Sequence, residues 1–297
     1  MSRQLEFTKM HGAGNDFVVL DGIANELPPI EPLASELCDR HFGIGADQLL
    51  VVRPSQAADF QMEIFNADGS QVEMCANGIR AFYQFLRDRG HTNAKQISVE
   101  SLSGIVRPAW AGPGQITVDM GPPVLAAAKI PTSLRSRDGG ADSPVLDVPL
   151  DVDGGTVRVS CVSMGNPHAV VFVDDPDHAP VERLGPAIEN HPAFPNRVNV
   201  EFAAPLSRSR IRQRTWERGT GETLACGSGA CAVAVVSMLR NLVERSVAIE
   251  LRGGELALRW DSEADSVFMT GPAAEVFTGS YPLDQSAAES VTIAEGG

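Results

Sequence analysis

The chain has 297 residues, 43% of them hydrophobic, enough to bury one large domain or two modest ones. Its formal charge of −14, from 24 Lys+Arg against 38 Asp+Glu, repels phosphate backbones and anionic lipid heads, so neither nucleic acid nor membrane is an expected partner. No apolar run reaches transmembrane length and the opening MSRQLEFTKMHG lacks an apolar signal core, which makes the cytoplasm the expected location.

Short β-like runs dominate the chain. DFVVLD (16–21), QLLVV (48–52) and FQMEIFN (60–66) come first. A helix is predicted from Asn77 to Arg89, stopped by Gly90 as a glycine C-cap. QISVES (96–101) follows, then a linker-like stretch at 131–147, PTSLRSRDGGADSPVLD. Three more strand-like runs are TVRVSCVSM (156–164), HAVVFV (168–173) and RVNVEF (197–202). A second helix is predicted from Gly229 to Leu242; its core, ACAVAVVSML, is apolar on nearly every side and should be enclosed on nearly every side. The tail after Asp284 reads as weakly ordered.

The five cysteines are Cys38, Cys75, Cys161, Cys226 and Cys231. An odd count without a leader argues against a disulfide framework, and no Cys/His cluster has zinc-ligand spacing, so no metal is expected. A pyridoxal Schiff base would need Lys9, Lys95 or Lys129, and none lies in a motif built for it.

An internal repeat is the most informative feature. CANGIRA (75–81) aligns with CGSGACA (226–232), and 226 − 75 = 151. GND (14–16) aligns with GNP (165–167), and 166 − 15 is again 151. The same shift pairs Gln48 with Asn199 and Asn66 with Glu217. Two copies of one α/β unit, each giving the same kind of residue to a shared site, account for this pattern.

Each repeated cysteine stands just before a predicted helix. The first helical N–H groups lack intrahelical partners and carry the positive end of the helix dipole. They should push the thiol towards thiolate. The amides of Ala76 and Asn77, and of Gly227 and Ser228, could also hold an α-carboxylate. A lone cysteine ahead of a helix is ordinarily a small buried hydrophobe, but repetition at matched positions reverses that preference for Cys75 and Cys226. Cys38, Cys161 and Cys231 keep the ordinary reading. With the two helix starts opposed, one thiolate would remove an α-proton while the other thiol protonates the opposite face, a two-base stereoinversion.

At these residues the sequence resembles the diaminopimelate epimerases, pyridoxal-independent amino-acid racemases. The matching stretches are HGAGNDFVVLD (11–21), HFGIGADQLL (41–50), FNADGSQVEMCANGIRAF (65–82), GNPHAV (165–170), RVNVEF (197–202) and ERGTGETLACGSGACA (217–232). The resemblance implies two pseudo-symmetric α/β domains, each a curved β-sheet wrapped around a central helix, with the active site in the cleft between them. The expected boundaries are 1–122, completed by 272–297, for the first domain and 123–271 for the second. It also implies a cofactor-free homodimer that converts LL-2,6-diaminopimelate to the meso form, for lysine and peptidoglycan precursors.

Carried over by motif, Cys75 and Cys226 are the acid/base pair. Asn15, Gln48, Asn66, Asn166, Asn199, Glu217 and Arg218 are substrate ligands, and His168 and Glu217 tune the thiols. Arg218 suits a distal carboxylate, and carboxamides can bond ammonium and carboxylate alike. The competing readings are a surface charge for Arg218, turn roles for the asparagines and a core histidine for His168. Ala76 replaces the family's usual Gly, a modest change unless that backbone needs positive φ. The alternatives are a racemase or isomerase of the same fold for another amino acid, a cysteine hydrolase using Cys75 and His168, and a non-catalytic amino-acid binding protein.

Overall fold

The computed structural model describes residues 3–137, 139–140, 142–152 and 154–283; the tail expected to be weakly ordered lies outside them. In chain order the elements begin with β1 (Arg3–Gly12), β2 (Asn15–Asp21), α1 (Glu31–Cys38), β3 (Gln48–Arg53), β4 (Phe60–Asn66) and α2 (Ala76–Asp88). Next come β5 (Val99–Ser101), β6 (Gly104–Val106), β7 (Ala109–Gly112), β8 (Gln115–Asp119), β9 (Val145–Val152), β10 (Gly155–Ser163) and β11 (Pro167–Phe172). They continue with α3 (Val181–Glu189), β12 (Asn199–Ser207), β13 (Arg210–Glu217), β14 (Gly221–Thr223) and α4 (Gly227–Leu239). β15 (Ser246–Leu251), β16 (Gly254–Asp261), β17 (Ser266–Pro272) and β18 (Ala274–Leu283) close the chain.

Two compact units result. The first holds residues 3–11, 16–106 and 274–283, with a seven-stranded sheet in the order β18-β1-β2-β3-β4-β5-β6. The second holds residues 12–15 and 107–273, with an eleven-stranded sheet in the order β7-β8-β17-β16-β15-β13-β12-β11-β10-β9 and β14 on β13. Residues 107–122, expected with the first domain, fall in the second unit, where β8 pairs antiparallel with β17 from Asp119 opposite Phe268 to Gln115 opposite Pro272.

The 151-residue offset is a structural rule. It carries α2 (76–88) onto α4 (227–239) residue for residue. The parallel pair Phe17 and Gln48 in β2–β3 maps onto His168 and Asn199 in β11–β12. The helix ends correspond too: Gly90 (φ +75°) follows α2 and Asn241 (φ +55°) follows α4, both in the left-handed conformation that stops a helix.

Each helix pair sandwiches its sheet. In the second unit α4 packs against β10, β11, β12, β15, β16 and β17, while α3 covers β9, β12, β13 and β14 from the other side. Residues Gly229–Ser237 of α4 are all buried, which is what its uniformly apolar sequence demands. In the first unit α2 packs on β3, β4 and β18, and α1 on β3 and β4. Strands with helices on both faces bury consecutive residues, as in Leu49–Val52 of β3. No helix among the described residues is long and apolar enough to cross a membrane.

Gly185, inside α3, shows how tightly these layers meet. A Cβ there would stand 2.5 Å from Cγ and 2.6 Å from Cδ2 of the Trp216 indole. Helix propensity alone would reward Gly185→Ala by about 1 kcal/mol. The expected net result in urea unfolding is instead a loss of about 1–3 kcal/mol from overpacking; a stabilised variant would show that the indole yields freely.

Candidate active site

Both repeated cysteines are helix N-caps. Cys75 (φ −134°, ψ 116°) precedes α2 and accepts the Gly78 N–H at 3.4 Å through Sγ. Cys226 (φ −121°, ψ 114°) precedes α4 and accepts the Gly229 N–H at 3.4 Å. The extended backbone at each cap turns the side chain back over the first helical turn, where the unpaired amides are. Cys75 is half-buried and Cys226 buried. Ala76 opens α2 and is absent from the positive-φ residues, so its methyl costs the backbone nothing.

In the first unit the expected carboxamides join one another in β3–β4, and a buried cation lies in the helix that Cys75 caps. Gln48 and Asn66 lie directly opposite in β3–β4, and Gln48 Nε2 donates to Asn66 Oδ1 at 3.0 Å. Asn66 Nδ2 in turn donates to Ser70 Oγ at 3.0 Å. Gln48 Oε1 is buried with no hydrogen-bond partner among the described residues, an acceptor open to a ligand. Arg80, fully buried in α2, donates to Ala76 O at 3.2 Å and to Asn77 Oδ1 at 2.8 Å. That fixes the first turn of α2 from within.

The surroundings of Cys226 are ionisable. Its sulfur lies 3.5 Å from Ser228 Oγ, and the Glu217 carboxyl is near enough to act on the charge of the thiol. Thr223 Oγ1 also donates to Glu217 Oε1, at 2.5 Å. His168 is fully buried, with Nδ1 2.8 Å from Glu201 Oε1 and Nε2 2.9 Å from Asn166 Oδ1. Asn199 Oδ1 accepts the Arg218 N–H at 2.8 Å, and Arg218, exposed, donates through Nη1 to Asn196 O at 2.9 Å. Asn15 opens β2 on the first sheet, half-buried.

Charge at Cys226 departs from the sequence expectation. Burial pushes its thiol well above the ordinary value, and the Glu217 and Glu201 carboxylates push it further. The Ser228 hydroxyl and the Gly229 N–H oppose this and lose. Cys226 therefore rests as a thiol, not a thiolate: the helix terminus is outweighed by desolvation and two nearby acids. Burial likewise raises Glu217, with hydrogen bonds from Thr223 and Cys226 working against it.

Three supports were not singled out in the sequence. Glu201 is an acid inside the apolar run VNVEF, a signal in itself. Glu189, at the end of α3, accepts the Gly219 N–H (2.9 Å) and Arg197 Nη1 (3.1 Å) on one oxygen and the Trp216 indole N–H (2.7 Å) on the other. It thereby pins both ends of the Glu217–Arg218 turn. In the first unit Asp16 and Asp47 exchange backbone-to-carboxylate hydrogen bonds of 3.1 and 2.9 Å, next to Asn15 and Gln48. Arg40 bridges both acids and Lys9 bonds Asp16.

Comparison with known proteins came out consistently. The family model for diaminopimelate epimerase matches residues 7–126 and 160–276. A diaminopimelate epimerase of Moorella thermoacetica is 48% identical over 285 residues, covering 94% of this chain and 100% of that one. One from Aromatoleum aromaticum is 50% identical over 282 residues, covering 94% and 99%. Among solved structures, a PhzF-family phenazine biosynthesis protein of Bacillus anthracis superposes with a TM-score of 0.69 at 15% identity, over 95% of this chain and 100% of that one. A hydroxyproline epimerase of Agrobacterium vitis gives 0.66 at 16% identity, over 97% and 95%. These two likenesses show the fold.

The Asp16 brace generates a pH test. Burial works to raise its carboxyl, but hydrogen bonds from Arg40, Lys9 and the Asp47 N–H hold it far below the usual range. A depressed carboxylate contributes stability that is complete above its unfolded value, about 3.9, and fades as pH falls towards its folded value. Asp16→Asn should cost about 1.5–3 kcal/mol at pH 7 in urea unfolding, and the gap from the parent should narrow steadily below about pH 4. A gap constant from pH 7 to 3 would rule out the ionised form as its source.

Proposed function

The chain belongs to the diaminopimelate epimerase family, and we propose on that premise that it interconverts LL- and meso-2,6-diaminopimelate with Cys75 and Cys226 as its proton carriers. The observation that carries this reading is the matched pair of N-cap cysteines, each accepting the N–H of the third helical residue at 3.4 Å. A racemase of the same fold for another amino acid is disfavoured by the near-full-length match to diaminopimelate epimerases.

In this scheme the α-carboxylate binds the amides that open the helices, those of Ala76 and Asn77 and of Gly227 and Ser228. Asn15, Gln48, Asn66, Asn166 and Asn199 orient ammonium and carboxylate without fixing a net charge, and Arg218 pairs with the distal carboxylate. Cys75 takes the α-proton as base. Cys226, which holds its proton at rest, delivers it to the opposite face. The helix dipoles and amides stabilise the carbanionic charge that develops at the carboxylate. His168 and Glu217 tune the proton affinities of the thiols, and the reverse reaction exchanges the roles of the two sulfurs. No cofactor enters the cycle. We take the enzyme to be a cytoplasmic homodimer that supplies lysine and peptidoglycan precursors.

Cys75→Ala and Cys226→Ala should each lower kcat by about 10²–10⁴-fold with unchanged circular dichroism, since one base cannot serve both faces. Appreciable turnover by either folded variant, measured by separation of stereoisomers, would sink the two-base assignment.

Proton fate tests the same point independently. Each sulfur can carry only one proton and exchanges it with solvent before substrate binds. In D₂O the product should carry deuterium at the inverted carbon, while recovered starting isomer stays protiated at low conversion. A polyprotic base such as lysine would scramble its protons and label both pools. Mass spectrometry of separated isomers decides; protium carried intact into product would contradict one-proton carriers.

A further inference from the structure

The two repeats differ most in the sheet beneath their central helices. At the 151-residue offset, His168, Glu201, Gln213 and Thr215 correspond to Phe17, Leu50, Met62 and Ile64. All eight side chains are buried. The first-turn glycines mark the same spot in each unit. A Cβ on Gly78 would lie 3.4 Å from Leu50 Cδ2, whereas one on Gly229 would lie 2.7 Å from Glu201 Oε1. The first unit thus satisfies the same register and helix with hydrocarbon. Burying an ionisable pair is costly, so packing alone gives no reason for the second unit to carry one.

The local geometry shows what the acid touches. One oxygen of Glu201 hydrogen-bonds His168 Nδ1 at 2.8 Å; the other is buried with no partner among the described residues. Thr215 stands directly across the β12–β13 ladder and accepts Gln213 Nε2 at 2.9 Å. The titratable groups that act on the His168–Glu201 pair among the described residues are Cys161 from β10, Glu217 from β13 and Cys226 at the start of α4.

We propose that Glu201 is a positioning residue for the epimerisation proposed above, on which this inference rests: it orients His168, and through it Asn166, and together with Glu217 it keeps the proton on Cys226 between turnovers. A carboxylate on Nδ1 fixes the ring plane, so Nε2 meets the Asn166 carboxamide in one orientation. The second effect answers a need of the cycle. Each turnover leaves the donor thiol without its proton and the acceptor with an extra one. Before the next turnover in the same direction, Cys226 must regain a proton. Two carboxylates beside it favour that return, because like charge disfavours the thiolate.

The test uses Glu201→Gln, which keeps shape and removes charge, and the double variant His168→Phe/Glu201→Leu, which imports the pair already buried in the first unit. The substrate-free proteins, labelled with carbon-13 at cysteine Cβ, are titrated by NMR, with Cys226→Ala supplying the assignment. In Glu201→Gln the Cys226 midpoint should fall by roughly one unit. Its kcat should drop at least tenfold with KM within threefold, and the alkaline limb of the kcat profile should move to lower pH. The double variant should fold and show the same kinetic loss. A wild-type Cys226 titration, or a wild-type kcat profile, in folded Glu201→Gln overturns the proposal. If that variant does not fold, the double variant decides by the same two measurements. The titration needs no substrate, so failure of wild-type enzyme to epimerise diaminopimelate would be recognised separately.

Discussion

A helix N–H given to a cysteine sulfur, once in each repeat, is the contact around which the molecule is organised. Cysteine is not among the side chains that cap helices well; serine, threonine, aspartate and asparagine are. Using it at both Cys75 and Cys226 forgoes a better cap in order to hold a thiol over unpaired amides. The rest of the fold makes this possible. The strands that lead in, β4 and β13, end at Asn66 and Glu217, and both helices are gripped by several strands, so the caps have little freedom to wander.

Duplication explains the scaffold but not its charge. α2 buries Arg80, whose guanidinium ties Ala76 O to the Asn77 side chain. The position matching Arg80 in α4 is Cys231, and the second unit carries its charge elsewhere, as Glu201, His168 and Glu217. A two-base inversion needs one sulfur that starts with a proton and one that starts without. Matching elements with a cation built into one helix and acids gathered beside the other would suit the two-base inversion proposed above.

The sequence made the periodic and repeated features legible. Both central helices, the runs in β2, β3, β4, β10 and β11, and the 151-residue offset follow from apolar pattern and motif alone. What escaped has physical causes. RIRQRTWE hides β13 because its arginines alternate with buried residues and are neutralised by partners elsewhere in the sequence, as Arg214 is by Glu222 at 2.7 Å. α1 and α3 are short and each contains a proline, so neither has a run long enough to read as a helix. QISVES is regular only from Val99 to Ser101. The raised proton affinity of Cys226 is illegible in the sequence for a deeper reason. A helix terminus is visible in sequence, but the depth of burial and the carboxylates arriving from β12 and β13 are tertiary facts.

Two copies of one unit in a single chain separate what the fold requires from what the chemistry requires. Positions that agree across the offset serve the backbone: the first-turn glycines Gly78 and Gly229, the helix stops Gly90 and Asn241, and the parallel register of β2–β3 and β11–β12. Positions that disagree in polarity, such as Leu50 against Glu201 and Phe17 against His168, cannot be demanded by that backbone, because the other copy folds without them. A buried acid in one copy is thus measured against a hydrocarbon in the same place, with register and helix held constant. Glu189 fits the same logic: its counterpart across the offset is Cys38, packed in an apolar cluster, while Glu189 itself is spent on the turn that carries Glu217 and Arg218. At two of these points the acid reaches the candidate site: Glu201 lies beside Gly229 in the first turn capped by Cys226, and Glu189 holds the turn that carries Glu217 and Arg218.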